Sequence, residues 1–295
     1  NSNAYLESAV VKAAGTGKGT LSLTASNTST IDSTVDVTAV SVALSGGANA
    51  TAAAIGFSFA ANMIGWSSLS SEERMQVMAY AEDSDITADN GLTLFSQSNA
   101  SIDAEVKTTT VAVSASTKNA GGLTAGGLAT INKVSTDVKA YIDGNTSRAA
   151  INTTDGDISI TAIDTSAIKA DAQAVAVSAS LSGKTAGALA IGLSVADNHV
   201  NNVVASYIRK ADVLTAGGDV SIRATDIDPN SGDTTSIEAK SIAVAVSAAV
   251  GKNGVALSGG AAVSTNTILS TTNAYLENST LGNAAGSNKV GLVDL

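Results

Sequence analysis

An all-β stack of repeated layers is the fold the sequence predicts, and three observations predict it. All five tyrosines sit in copies of one short motif, written out in full as Asn3-Ala4-Tyr5-Leu6-Glu7 and again as Asn273-Ala274-Tyr275-Leu276-Glu277. The steps from Tyr5 through Tyr80, Tyr141 and Tyr207 to Tyr275 are 75, 61, 66 and 68 residues, an average of about 67 per repeat. Between the motifs, Val, Ile and Leu alternate with Ala, Ser and Thr at the strand period of two, and the chain has a single proline, Pro229. We therefore expect a β-solenoid-like stack of four repeats, over residues 6–80, 81–141, 142–207 and 208–275, with a partial repeat over 276–295. Such an array accounts for 295 residues as one continuous unit rather than two globular domains. A stack of antiparallel β-hairpins is the alternative, because Gly251-Lys252-Asn253-Gly254 reads as a tight hairpin turn.

Each repeat has four parts in order. The Tyr element comes first and ends in a turn rich in Gly, Asp and Asn. A short alternating strand opened by glycine follows, as in Gly91-Leu92-Thr93-Leu94 and Gly156-Asp157-Ile158-Ser159-Ile160. A long strand is third, marked by Val40-Ser41-Val42, Val111-Ala112-Val113, Val175-Ala176-Val177 and Val244-Ala245-Val246. The fourth part is a glycine turn and a returning strand that ends at Asn62, Asn132, Asn198 or Asn266. In Ile242 to Ser247, one face carries Ile242, Val244 and Val246 and the other Ala243, Ala245 and Ser247. Neither face is charged, whereas a strand with one wet face carries Lys, Glu or Thr on it. Both faces are expected to be buried, the Val face in a core and the Ala/Gly/Ser face against a second layer or another chain.

Two insertions interrupt the pattern. Residues 65–75 lengthen the gap from Asn62 to Tyr80, and Ser70 followed by Glu73 fits a capping box, so one or two helical turns are expected there. This insertion holds the only tryptophan, Trp66, which either anchors the bump or offers a contact to a receptor or glycan. The second insertion, 226–232, sets out Asp226, Asp228, Asn230 and Asp233 in an alternation that resembles an oxygen-rich calcium loop. It lacks a later bidentate Glu and flanking helices, and a plain Asx/Gly turn is the competing reading.

Composition removes several function classes. The net charge of −10 (16 basic, 26 acidic) disfavours nucleic acid and anionic membrane surfaces as partners. Without cysteine there is neither a disulfide framework nor a thiolate metal site. His199 is the single histidine and aligns with Met63, Lys133 and Thr267, so no recurrent nucleophile–base pair is available and no enzyme activity is expected. Apolar runs are too short for a membrane-spanning helix. The recurrent polar residues read structurally instead. Stacked in register, Asn62, Asn132, Asn198 and Asn266 would form one column of hydrogen-bonded amides, and Tyr5, Tyr80, Tyr141, Tyr207 and Tyr275 a second of stacked rings.

The run from Ala174-Val175-Ala176-Val177 through a glycine turn to Asn198 and Tyr207-Ile208 resembles the repeats of large bacterial filamentous adhesins. The leukotoxin-type filamentous adhesins, a group of bacterial β-strand repeat surface proteins, are the family it resembles. The resemblance covers all four repeats. It implies a segment of a very large, secreted, surface-attached protein of solenoid-like β architecture, outside the cell, with no catalytic residues or cofactor to carry over. The expected partners are copies of itself, by lateral or end-to-end association, and a receptor or glycan on the adhesive reading. The apparent lack of end caps leads to the same expectation of a longer parent chain.

Overall fold

The structure, a computed structural model, describes residues 1–15, 19–154, 156–215, 217–282 and 290–295. The expected partial repeat over 276–295 therefore lies partly outside the described residues. Among those described there is no helix, and thus none long and apolar enough to cross a membrane.

Nearly all strands fall into five parallel sheets that the chain visits in a fixed order. Sheet I holds the tyrosine strands Ser2–Glu7, Met75–Glu82, Thr136–Asp143, Val203–Arg209 and Thr271–Glu277. Sheet II holds the short strands Val10–Ala13, Asp85–Ala88, Ala149–Thr153, Ala211–Thr215 and Thr280–Leu281. Sheet III holds Leu21–Asn27, Leu92–Ser98, Ile158–Asp164, Val220–Thr225 and Val293–Asp294. The long outgoing strands Thr30–Ser45, Ser101–Ser116, Ala167–Ser182 and Ser236–Val250 make sheet IV. Their returning partners Ala50–Ile64, Asn119–Val134, Thr185–Val200 and Asn253–Ile268 make sheet V. After sheet V the chain re-enters sheet I one strand further along the stack.

Parallel pairing with equivalent residues overturns the antiparallel-hairpin alternative. The strand 236–250 and its successor 253–268 are joined by a tight turn, yet each bonds to the previous layer and not to the other. The tight turn is thus an arc between two sheets. A fifth strand per layer, that of sheet II, also escaped the four-part reading. It is only two to five residues long and shows no sustained alternation. In four of the five layers the corner leading into it is made by one residue in the left-handed region, Ser8, Asp83, Lys210 or Asn278, with φ of 47–51°. The valine triplets need a register correction as well. Val111 pairs with Val40 on one side and with Val177, not Val175, on the other. A slip of two keeps every side chain on its own face, so the pattern alone does not reveal it.

Two kinds of core result. Sheets I, II and III enclose large aliphatic side chains, among them Ile86, Leu94, Ile142, Ile151, Ile160 and Ile208, all at most 1 % exposed. Burying each such side chain contributes roughly 1.5–3 kcal/mol. Sheets IV and V instead face each other across small residues: Ala52, Ala54, Ala112, Ala174, Ala176 and Ala190 are all buried. Glycine makes the approach close. A Cβ at Gly122 would lie 2.7 Å from Ser178 Oγ, and one at Gly56 2.8 Å from a Thr110 methyl. Hydroxyls stitch the two sheets: Ser194 Oγ donates to Ala172 O at 3.1 Å, Ser180 Oγ to Gly187 O at 2.6 Å and Thr108 Oγ1 to Gly127 O at 3.2 Å.

Because this layer has no spare depth, Ala176→Leu should lower the unfolding free energy by about 1–3 kcal/mol. A urea titration read by circular dichroism checks it, and an unchanged midpoint would contradict the close approach of the sheets.

Candidate functional site

The four recurrent asparagines come from sheet V. Asn62, Asn132, Asn198 and Asn266 pair in register, and each amide Nδ2 donates to the next Oδ1 at 2.8, 2.8 and 2.9 Å. Asn132 and Asn198 are fully buried. An unpaired buried amide costs about 1–3 kcal/mol, so the column is stable only while its members stay level with one another. The tyrosines stand on the outward face of sheet I. Their rings stack at 5.1 Å for Tyr5–Tyr80 and at 4.8 Å for each later pair, within 9° of parallel. Burial within the column, then the neighbouring tyrosine, pushes the phenols of Tyr141 and Tyr207 well above their ordinary value.

The expected helical turns at 65–75 are instead an antiparallel hairpin, Trp66–Ser68 with Ser71–Glu72. Ser68 explains the difference: its Oγ accepts from the N–H groups of Ser70 and Ser71, closing a tight turn where a helix would have begun. The hairpin lies back over the following layers. Lys133 Nζ sits 4.4 Å from the Trp66 ring centre and donates to Leu69 O at 2.7 Å, and His199 meets the indole edge-on at 6.0 Å. Glu72 accepts from Ser135, from Arg74 at 2.9 Å and from Asn201 at 2.8 Å. Burial raises the Glu72 carboxyl, but the Ser135 and Arg74 hydrogen bonds outweigh it and hold the group below its ordinary value. Trp66 and His199 thus anchor an insertion to the stack.

The 226–232 insertion closes as an Asx turn. Asp228 Oδ1 accepts from Asn230 N at 2.8 Å, Oδ2 accepts from Gln97 Nε2 at 3.1 Å, and Asp228 N donates to Asp233 O at 2.9 Å. Asp226 is tied through its backbone oxygen to Thr235 N at 3.1 Å. Asp226, Asp228, Asn230 and Asp233 are not brought together as a ligand set, and no group of three or more metal-binding side chains occurs among the described residues.

A buried polar cluster was not legible in the sequence. Asp164 is fully buried at the end of its sheet III strand. It accepts from Thr136 Oγ1, from Ser166 N at 2.8 Å and from Asn202 Nδ2 at 2.9 Å. Burial pushes its carboxyl up from the ordinary value, against these donors. Only pairing across 28 and 38 residues assembles the group; Ser98 fills its place in the preceding layer, and in the following layer the pairing stops one residue short, at Ile163 with Thr225, so no repeat signal marked it.

The largest departure concerns the long sheets. The Ala/Gly/Ser/Thr faces pack against each other, and the Val/Leu/Ile faces point outward. Val40, Val42, Leu44, Val244 and Val246 on sheet IV are 41–74 % exposed, as are Ile55, Phe57 and Leu193 on sheet V at 50–70 %. The expectation that the valine face is core is therefore wrong, and Ala243 and Ala245 face the second layer and not another chain. Small residues win the interior because two sheets that close leave no room for branched side chains on both sides. The result is a two-sheet fin rising from the aliphatic core, with large apolar side chains on both outer faces and a charged stretch on sheet IV nearer the base.

No protein-family model, curated protein or solved structure matches the chain.

Asn132→Leu leaves a donor on Asn62 and an acceptor on Asn198 buried without partners, and should cost about 2–4 kcal/mol; denaturant unfolding within 0.5 kcal/mol of the parent, on the order of measurement error, would contradict the column's role. For Asp164 the folded state holds its proton to higher pH than the unfolded chain. Its contribution is complete below the ordinary carboxylate range and is lost as pH rises through the folded value. Melting of the parent chain should accordingly decline more steeply above about pH 4 than that of Asp164→Asn, and parallel curves would refute the assignment.

Proposed function

We propose that this chain is a non-catalytic structural segment of a secreted bacterial filamentous adhesin or extracellular fibre. It is built as a β-solenoid of four repeats of about 67 residues, one wide layer per repeat, and it works by rigidity and by contact with copies of itself. The observation that carries this reading is the continuity of the two columns. Four asparagines and five tyrosines repeat the same contact from layer to layer, and a contact that depends only on a neighbouring layer extends for as long as layers are added. The likeness to filamentous adhesin repeats supports the extracellular setting. The polar groups of the hairpin at 66–72 and of the 226–235 loop are largely spent on the chain itself, which favours a structural role over receptor, glycan or calcium binding.

Antibodies raised against this chain should label filaments outside the producing cell. Oriented filaments should diffract at about 4.8 Å along their long axis, the spacing of stacked strands. Label confined to the cytosol, or filaments lacking that axial spacing, would contradict the proposal.

A further inference from the structure

The outward face of sheet IV is divided into three zones along its strands. In the middle, Val40, Val111, Val177 and Val246 form an unbroken row, one valine per layer. Leu44 and Leu181 extend the apolar zone towards the turn that leads into sheet V, 74 % and 57 % exposed. That turn end is basic: Lys118, Lys184 and Lys252 are exposed there, and no acidic residue lies within 45–49, 116–119, 182–185 or 250–253. The opposite end is acidic. Asp32, Asp36, Asp103, Glu105, Asp171 and Glu238 point outward against Lys107, Lys169 and Lys240, an excess of three acids (6 − 3). The three lysines already pair with Glu105, Asp103 and Asp171. Asp32, Asp36 and Glu238 form no ion pair among the described residues.

We propose that this face docks a second copy of the chain, sheet IV against sheet IV, with the strands of the two copies running in opposite directions. A two-fold axis along the stack then sets the basic turn end of each copy over the acidic end of its partner, and the valine rows meet in the middle. The proposal rests on the fibre reading, to which it supplies the lateral contact. The area suffices. Strands of about 15 residues rising about 3.3 Å each, four abreast at about 4.8 Å, give about 950 Å² per copy and about 1,900 Å² in all, inside the range of stable interfaces. The outward face of sheet V fits a flat partner less well. The 66–72 hairpin crosses its base, and large and small side chains alternate between layers, as in Phe57, Gly127, Leu193 and Ala261. A lipid surface is disfavoured by the net charge of −10.

Sedimentation velocity of the chain, over micromolar concentrations at low salt, should show a monomer–dimer equilibrium that loosens as salt is raised. Val177→Glu, which puts a carboxylate into the valine row without touching the interior, should weaken dimerisation at least tenfold. Reversing the turn end with Lys118→Glu, Lys184→Glu and Lys252→Glu should weaken it too, and adding Asp32→Lys, Asp36→Lys and Glu238→Lys to the same chain should restore it. A chain that is monomeric throughout, a dimer indifferent to these changes, or a parent chain that floats with phosphatidylcholine vesicles while staying monomeric overturns the proposal. Each variant is also followed by circular dichroism. A parent chain that stays monomeric with intact β-structure rejects the docking and leaves the fibre reading standing, whereas filaments lacking the axial strand spacing reject that reading itself.

Discussion

Parallel pairing without offset is the constraint from which the rest of this structure follows. It sets each residue directly over its counterpart in the layers on either side, about 4.8 Å away. At that distance a side chain must tolerate a near-copy of itself. An amide does so by donating to one neighbour and accepting from the other, as Asn132 does between Asn62 and Asn198. A phenol does so by stacking its ring. Carboxylates also meet one another, Asp32 beside Asp103 and Glu105 beside Asp171, and the charged rows on sheet IV offset this by mixing signs elsewhere, with Asp36 beside Lys107 and Asp103 beside Lys169.

The same constraint explains the division between the two cores. Sheets I, II and III close around Ile, Leu and Val and supply most of the apolar burial. Sheets IV and V continue as a fin whose interior, apart from Val35, Val106 and Leu128, is mostly Ala, Gly, Ser and Thr, with hydroxyls bonding across the gap. Contacts between small residues contribute little per side chain, so the fin depends on its backbone ladders and on anchorage at its base, where Ile64, Ile102, Ile168, Val134 and Val200 form a separate cluster. Its larger apolar side chains are left for the outside. That exposed apolar face is the surface on which the proposed lateral contact rests.

Much of this was legible in the residues. The tyrosine and asparagine repeats identified the layers, because stacking in register requires the same residue type at a fixed place in every repeat. Period-two alternation identified the long strands and sorted their faces. It did not say which face is inside, since Val against Ala separates large from small and not buried from exposed. Sheet II was too short to carry a pattern. The valine triplets misled by two residues for a reason peculiar to low-complexity strands: Val175 and Val177 are equally good partners for Val111 by type, and the choice is made elsewhere in the layer. Ser70 and Glu73 read as a helix cap because the motif is local, whereas Ser68 takes both N–H groups to make a hairpin turn. Asp164 and its donors were invisible because they come together only through stacking.

The register itself is the most direct thing to measure. The chain has no cysteine, so pairs introduced on the outward face of sheet IV report on it without interference. Val111→Cys with Val177→Cys places the two Cα atoms about 4.8 Å apart, within reach of a disulfide, whereas Val111→Cys with Val175→Cys separates them by about 8 Å, beyond it. Parallel in-register stacking predicts rapid intrachain oxidation of the first pair and little of the second, read by mass spectrometry of the unreduced monomer. Faster closure of the 111–175 pair, or of neither, would contradict the layer-on-layer account.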